Sequence, residues 1–242
     1  SHEFAMQRYS FEYVMQQRGW GGPGAAEWPV IALFLAYSDY MNTGLLDVFE
    51  KHYATLRNWT EHVLIDPTEK MWKCKPCGGL SEVHNCSPSE QNQIFTCNGP
   101  EVDWPASQRD GFVFSPTNTV VNAFVYRGLR LFARMAHALN TSQAARDAPV
   151  FDSLALALQQ AANARLLTHQ PGGGSVYRDG AETTHAAWHS TVFSVAYGLA
   201  DALDEPTRGQ LFDYIVQRCN QSDGVVGGVY TGQWALEVNN KR

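Results

Sequence analysis

The sequence is short of several things, and each shortage excludes something. No apolar run approaches the roughly 18 residues that a membrane-spanning helix needs; Pro29 to Ala36 is the strongest candidate and is too short. Basic residues are not in excess. Lys and Arg number 18 against 24 Asp and Glu, a net charge of −6, which argues against nucleic acid or an anionic membrane surface as a partner. Charged residues make up 17% and hydrophobic ones 44%, the balance of a globular chain rather than a disordered one. No unit recurs at a period of about 34 to 47 residues, as helical solenoids require. No Gly-Lys-Ser/Thr follows Gly172-Gly173-Gly174, so that glycine run is turn chemistry and not a phosphate loop. A signal peptide and an initiating methionine are also lacking, and Ser1-His2-Glu3-Phe4 is already helical in pattern. The expectation is a chain that begins inside a longer protein.

Cysteine is sparse and unevenly placed. Cys74, Cys77, Cys86 and Cys97 fall in one segment, and Cys219 lies far away. The first pair has zinc-knuckle spacing but the second does not, so disulfides, free thiols and zinc all stay open. Glycosylation triplets at Asn58, Asn85, Asn140 and Asn220 favour a secretory or extracellular route.

Helical pattern, by contrast, is plentiful. Helices are expected over 2–18, from Pro29 through Tyr40, from Leu45 to Leu64, from 116 to about 139 and from about 149 to 168. Three more follow: one capped by Thr183 or Thr184, one that a brief turn at Asp204-Glu205-Pro206 leads into and that ends near Cys219, and a last segment from Tyr230 to Val238. The central one starts at Ser115-Pro116, a hydroxyl cap with proline at the first helical position, and carries Val120, Phe124, Leu131 and Met135 as a buried stripe. Short strands are conceivable only near Gln93–Thr96. The fold class is all-α, read as one domain over 1–242 with a long loop insertion at 66–114.

Connector lengths then suggest an architecture. They alternate between long (19–28, 66–114, 169–183, 220–228) and short (43–45, 140–147, 203–206). Short links force antiparallel neighbours, so in an up-down array every long loop emerges at one rim. That separates a functional face from a structural one and favours an α/α toroid over a solenoid of helical hairpins.

The shared rim is rich in groups that suit sugars. It collects Trp20, Glu27, Trp28, Trp72, Glu101, Asp103, Trp104, Arg109, Asp110, Tyr177, Arg178, Asp179, Glu182 and His185, with Trp188 and His189 one turn inside the helix mouth. Aromatic faces stack on sugar rings, and carboxylates and arginine hydrogen-bond vicinal hydroxyls. Each group also has a bland reading: tryptophans in a core, Asp/Arg pairs as structural ion pairs. Collectively they favour a carbohydrate cleft. His185 and His189 are four apart, a spacing that suits a metal, but no intervening glutamate or third ligand accompanies them. No metal and no cofactor are expected.

Several motifs together resemble α-L-rhamnosidase-like glycoside hydrolases. They are Ala26-Glu27-Trp28-Pro29, Val102-Asp103-Trp104-Pro105 with Arg109-Asp110-Gly111, Asn118 to Phe124, Thr184-His185-Ala186 with Trp188-His189, and Gly228-Val229-Tyr230 with Gly232 to Glu237. The resemblance implies part of an (α/α)6 catalytic barrel acting on terminal α-L-rhamnosyl residues with inversion. It also implies that the family's general acid and base fall outside this chain, so that the chain alone is inactive and its catalytic residues are unknown. The substrate-binding set becomes Glu27, Trp28, Asp103, Trp104, Arg109, Asp110, His185, Trp188 and His189. Trp28 and Trp104 would stack, Asp103, Arg109 and Asp110 would contact hydroxyls, and the histidines would lie near the pocket floor. A non-catalytic carbohydrate-binding relative and a helical scaffold that binds protein through open barrel edges are the alternatives.

Overall fold

The computed structural model describes residues 2–17, 30–62, 65–73, 102–103, 106–170 and 173–221. The described chain is dominated by helix: α1 (His2–Gln17), α2 (Ile31–Thr43), α3 (Asp47–Lys51), α4 (Tyr53–His62), α5 (Thr119–Leu139), α6 (Ser142–Leu166), α7 (Trp188–Tyr197) and α8 (Glu205–Gln221). The all-α expectation holds.

Inner and outer helices alternate. All ten residues of α7 are buried, and α5 buries residues around most of its circumference, as a helix enclosed by others must. α5 packs against α2, α6 and α7, and α1 packs on α2. Outer helices bury one side only: α6 hides Ala144, Phe151, Ala155, Leu158 and Ala162 while Val150 and Leu156 stay exposed. Aromatic rings close the gaps, with Phe132 4.0 Å from Phe151 and 5.2 Å from Phe49 between centroids, and Phe124 4.6 Å from Tyr197. The α2–α5 contact is close. A Cβ on Gly128 would lie 2.9 Å from Val30 Cγ1 and 3.2 Å from Leu33 Cδ1, so glycine is needed there for backbone approach.

Several boundaries differ from expectation, each for a physical reason. The segment 45–64 breaks into α3 and α4 at His52, whose ring reaches the Glu12 carboxylate of α1 at 3.1 Å. The central helix starts at Thr119, not 116, and its cap is Asn118, whose side chain accepts from Val121 N–H. Residues 115–118 stay extended because they pair with another loop, through an Asn118–Gly180 bridge and Thr119 N–H to Asp179 O. α6 begins at Ser142, capped by Thr141, and carries Pro149 inside it. The expected connection at 140–147 therefore shrinks to two residues, with Asn140 in the left-handed region at φ 50°. Thr183 and Thr184 do not cap α7, which starts at Trp188. A small antiparallel hairpin, β1 (Leu167–His169) and β2 (Ser175–Tyr177), occupies part of the loop expected at 169–183. The possible strand near 93–96, the Cys74–Cys97 segment and everything after Gln221 lie outside the described residues. Among those described, no helix is long and apolar enough to cross a membrane.

A buried carboxylate ties α4 to α6. Asp147 accepts from Tyr53 Oη (2.9 Å), Arg57 Nε (2.8 Å) and Gln143 Nε2 (2.9 Å). Burial pushes its pKa up, but the donors from Gln143, Arg57 and Tyr53 outweigh this and hold it below the ordinary 3.8. A depressed pKa stabilises the fold above the unfolded value and loses that contribution as pH falls through the folded one. Asp147→Asn should therefore cost about 1–3 kcal/mol near neutral pH, where one charged acceptor of several donors is lost. In urea denaturation across a pH series, the gap from the parent chain should narrow only below about pH 4.

Candidate functional site

Among the described residues, parts of two of the long connections, together with the last turns of the final helix, meet at one end of the helices. Trp72, opening the first of them, donates its N–H to Asn122 Oδ1 (2.8 Å), and Asn122 Nδ2 returns bonds to Trp72 O (3.0 Å) and Asn118 O (2.8 Å). The last part of that connection, 109–118, lies along the loop 178–187. Ala181 N–H donates to Thr117 O (3.1 Å), and Glu182 accepts from both the N–H and the hydroxyl of Thr117. Burial pushes Glu182 up, yet the Thr117 and Ser115 donors leave its pKa below the usual carboxylate value. Arg218, on the last turns of the final described helix, reaches the same place through an ion pair to Asp110. Parts of two of the four expected long loops, 66–114 and 169–183, therefore lie side by side here, and of loops 19–28 and 220–228 only the helical residues 220 and 221 are described.

Asp179 organises this mouth. It is fully buried, and a buried carboxylate needs every lone pair engaged. One oxygen accepts from Ala187 N–H (2.7 Å) and Ser190 Oγ (2.8 Å), the other from Val113 N–H (2.8 Å) and His185 Nδ1 (2.6 Å). Asp110 Oδ2 accepts from Trp188 N–H at 2.8 Å. The first N–H groups of α7, orphaned at any helix start, are therefore satisfied by two carboxylates from distant segments, where the helix dipole also favours negative charge. Asp110 itself has φ 51° and is followed by Gly111 at φ 67°, a sharp reversal that turns its side chain toward α7. Asp110 belonged to the expected set; Asp179 was only one acid among many on the rim.

The remaining expected residues separate by exposure. His185 has 43% of its side chain exposed. Its Nδ1 faces the Asp179 carboxylate and donates to it, which turns Nε2 toward Gly111. Arg109 is half-buried, donates Nε–H to Asp103 O at 2.6 Å and lies 5.7 Å over the Phe114 ring. Asp103 and His189 are both buried and face one another, Nε2 to Oδ2 at 3.2 Å, while His189 Nδ1 has no partner among the described residues. Trp188 is 2% exposed and donates its indole N–H to Ile215 O at 3.3 Å. Glu27, Trp28 and Trp104 lie outside the described residues.

The two histidines do not converge on one point: each faces its own carboxylate. Among the described residues no group of three or more His, Cys, Asp or Glu side chains has the arrangement of a metal site. Tyr214 seals the floor. Its hydroxyl donates to Ala186 O at 2.9 Å, and burial pushes its pKa up to about 12. What the arrangement offers chemically is a rigid rim carrying a half-exposed imidazole, a guanidinium and a carboxylate whose oxygens retain further lone pairs.

Comparison with known proteins gives a consistent picture. The family described as bacterial alpha-L-rhamnosidase 6 hairpin glycosidase domain matches residues 10–242. The crystal structure of a GH78 family rhamnosidase of Bacillus sp. GL1 aligns with a TM-score of 0.59 at 14% identity, over 90% of this chain and 20% of that one. At that identity the likeness is one of fold, and this chain spans about a fifth of that protein. No curated protein matches.

Proposed function

We propose, for a chain that belongs to the bacterial alpha-L-rhamnosidase six-hairpin glycosidase domain family, that its mouth forms one wall of a cleft holding a terminal α-L-rhamnosyl residue in an inverting glycoside hydrolase. The observation that carries this reading is the convergence of Asp110, Asp179 and His185 at the start of α7. In this reading the half-exposed groups touch sugar. His185 Nε2 accepts a hydroxyl proton, its tautomer fixed by Asp179, while Asp110 and Arg109 bracket neighbouring hydroxyls. The buried groups act through these: Asp179 orients His185, and the Asp103–His189 pair holds the loop from which Arg109 projects. Trp28 and Trp104 supply stacking faces.

Inversion requires an acid and a base with room for water between them, roughly 6.5–9.5 Å apart. The buried carboxylates of this mouth are spent on protein donors, which favours a wall that binds over a pair that cleaves. The proposal therefore places acid and base on the parent protein outside this chain, with the chain alone inactive. The non-cleaving sugar binder is its rival.

Two measurements separate them. The full-length parent should hydrolyse an aryl α-L-rhamnoside somewhere between about pH 4 and 8, releasing the inverted anomer by proton NMR. In that parent His185→Ala should lower kcat/KM by about 10- to 100-fold, the loss of one or two hydrogen bonds to a polar ligand. No turnover in the parent, with rhamnose binding to this chain retained, would select the binder. Binding unaffected by Asp110→Ala would remove the cleft altogether.

A further inference from the structure

Away from the mouth, one side of α5 carries charge of a single sign. Arg127, Arg130, Arg134 and His137 recur at spacings of three and four, the interval that puts side chains on one helical face. With Leu131 as floor and Asp152 of α6 as far wall, they line a groove of about 270 Å³. Arg127 begins it eight residues into α5, about 12 Å along the axis from the end that faces the mouth.

The charges in this groove do not cancel. Asp152 is shared, pairing with Arg130 Nη1 at 2.9 Å and His137 Nε2 at 3.1 Å. Among the described residues Arg134 donates to a neutral phenol alone, Nη1 to Tyr37 Oη at 2.9 Å, with its guanidinium 5.8 Å from that ring's centre. Arg127 has no hydrogen bond or ion pair among the described residues. Three guanidinium groups thus face one carboxylate, in a chain whose net charge is −6. Folding gives no reason for this. Like charges three and four apart oppose helix formation, and Arg127 and Arg130 lie too far from the C-terminus of α5 to answer its dipole. Guanidinium forks match tetrahedral oxyanions by paired N–H···O bonds.

We infer that the groove lined by Arg127, Arg130 and Arg134 binds a doubly charged tetrahedral oxyanion, either free phosphate or sulfate or the same group esterified on a small molecule. This inference is independent of the rhamnosidase reading. Arg127 and Arg134 supply the unspent donors, and Asp152 competes with the ligand for Arg130. Substitutions on the two sides should therefore act in opposite directions.

The test is isothermal titration calorimetry on the 242-residue chain at fixed ionic strength, in phosphate-free buffer. The probes are inorganic phosphate, inorganic sulfate and glucose 6-phosphate, with chloride as control. Arg127→Gln and Arg134→Gln should each weaken phosphate binding about tenfold or more, the loss of one charge-assisted pair. Asp152→Asn should tighten it, and Arg127→Lys should restore only part of the affinity, because a point charge lacks the fork. All of these positions line an open groove, and circular dichroism will check that each variant is folded. A tighter fit for glucose 6-phosphate than for the free anions would mark an esterified ligand; equal fits would mark the free ion. The inference is overturned if no oxyanion binds beyond the chloride control, or if the Arg127→Gln/Arg134→Gln double variant binds like the parent. Binding of poly-glutamate without binding of phosphate would likewise overturn it, in favour of an acidic polypeptide partner.

Discussion

Asp179→Ala is expected to destabilise the chain by about 3–5 kcal/mol, the range for removing one member of a buried charged network and leaving its partners unpaired. Four donors lose their acceptor at once: the N–H groups of Val113 and Ala187, the Ser190 hydroxyl and His185 Nδ1. Two of these are backbone groups within a packed rim, where water is a poor substitute. Asp179→Asn should be nearly as harmful. Its oxygen can still serve Ala187 and Ser190, but its NH2 then points at a second donor, Val113 N–H. Guanidinium chloride titration would give the stability loss. Histidine NMR would show whether His185 loses its fixed tautomer in whichever variant stays folded. A loss under about 1 kcal/mol would mean that the network is not the organiser of this mouth.

The second large effect is expected at Gly180. A Cβ there would lie 1.8 Å from Ser115 Oγ and 2.5 Å from the Thr117 carbonyl oxygen. The serine can rotate away; the carbonyl cannot, because it accepts from Ala181 N–H. Gly180→Ala must therefore part the two loops that carry Asp110 and His185, at about 3 kcal/mol, the upper end of overpacking costs. Gly209 is the natural control. It sits within α8 with nothing near its Cβ position, so Gly209→Ala should stabilise by about 0.5–1 kcal/mol through helix propensity alone. Thermal denaturation of the pair would separate steric conflict from backbone entropy.

The sequence disclosed the helices and the meeting of segments 109–118 and 178–187 because both follow from local rules. Apolar spacing placed α5, and the buried Val120, Phe124, Leu131 and Met135 agree with its stripe. Connector lengths placed Asp110 and His185 together. What stayed hidden depends on contacts between distant segments. The α7 start was sought at Thr183 or Thr184 because local hydroxyls are the usual caps, whereas carboxylates from positions 110 and 179 do that work across the loop gap. Pro149 drew the expected start of α6 seven residues late. The helix tolerates that proline's missing N–H because Thr141 already caps the chain upstream and the burial of Ala144 and Ala148 holds the first turns in place. Asp103 and His189 read as sugar contacts because polar residues near aromatics suggest ligands; their pairing in the interior depends on a separation of 86 residues that no spacing rule reaches. Arg218 could not be singled out at all, since its partner Asp110 is 108 positions away.

The glycine contact between α2 and α5 has a further implication for redesign. Where a single added methyl would strike Val30, the gap between these two helices is set by backbone meeting side chain, with no slack to trade. Loop exchanges over 109–118 or 178–187 will thus swap the chemical lining of the opening while leaving the spacing of these two helices unchanged. To change how α2 sits against α5, one must recut Val30 or Leu33 as well as rewrite the loops.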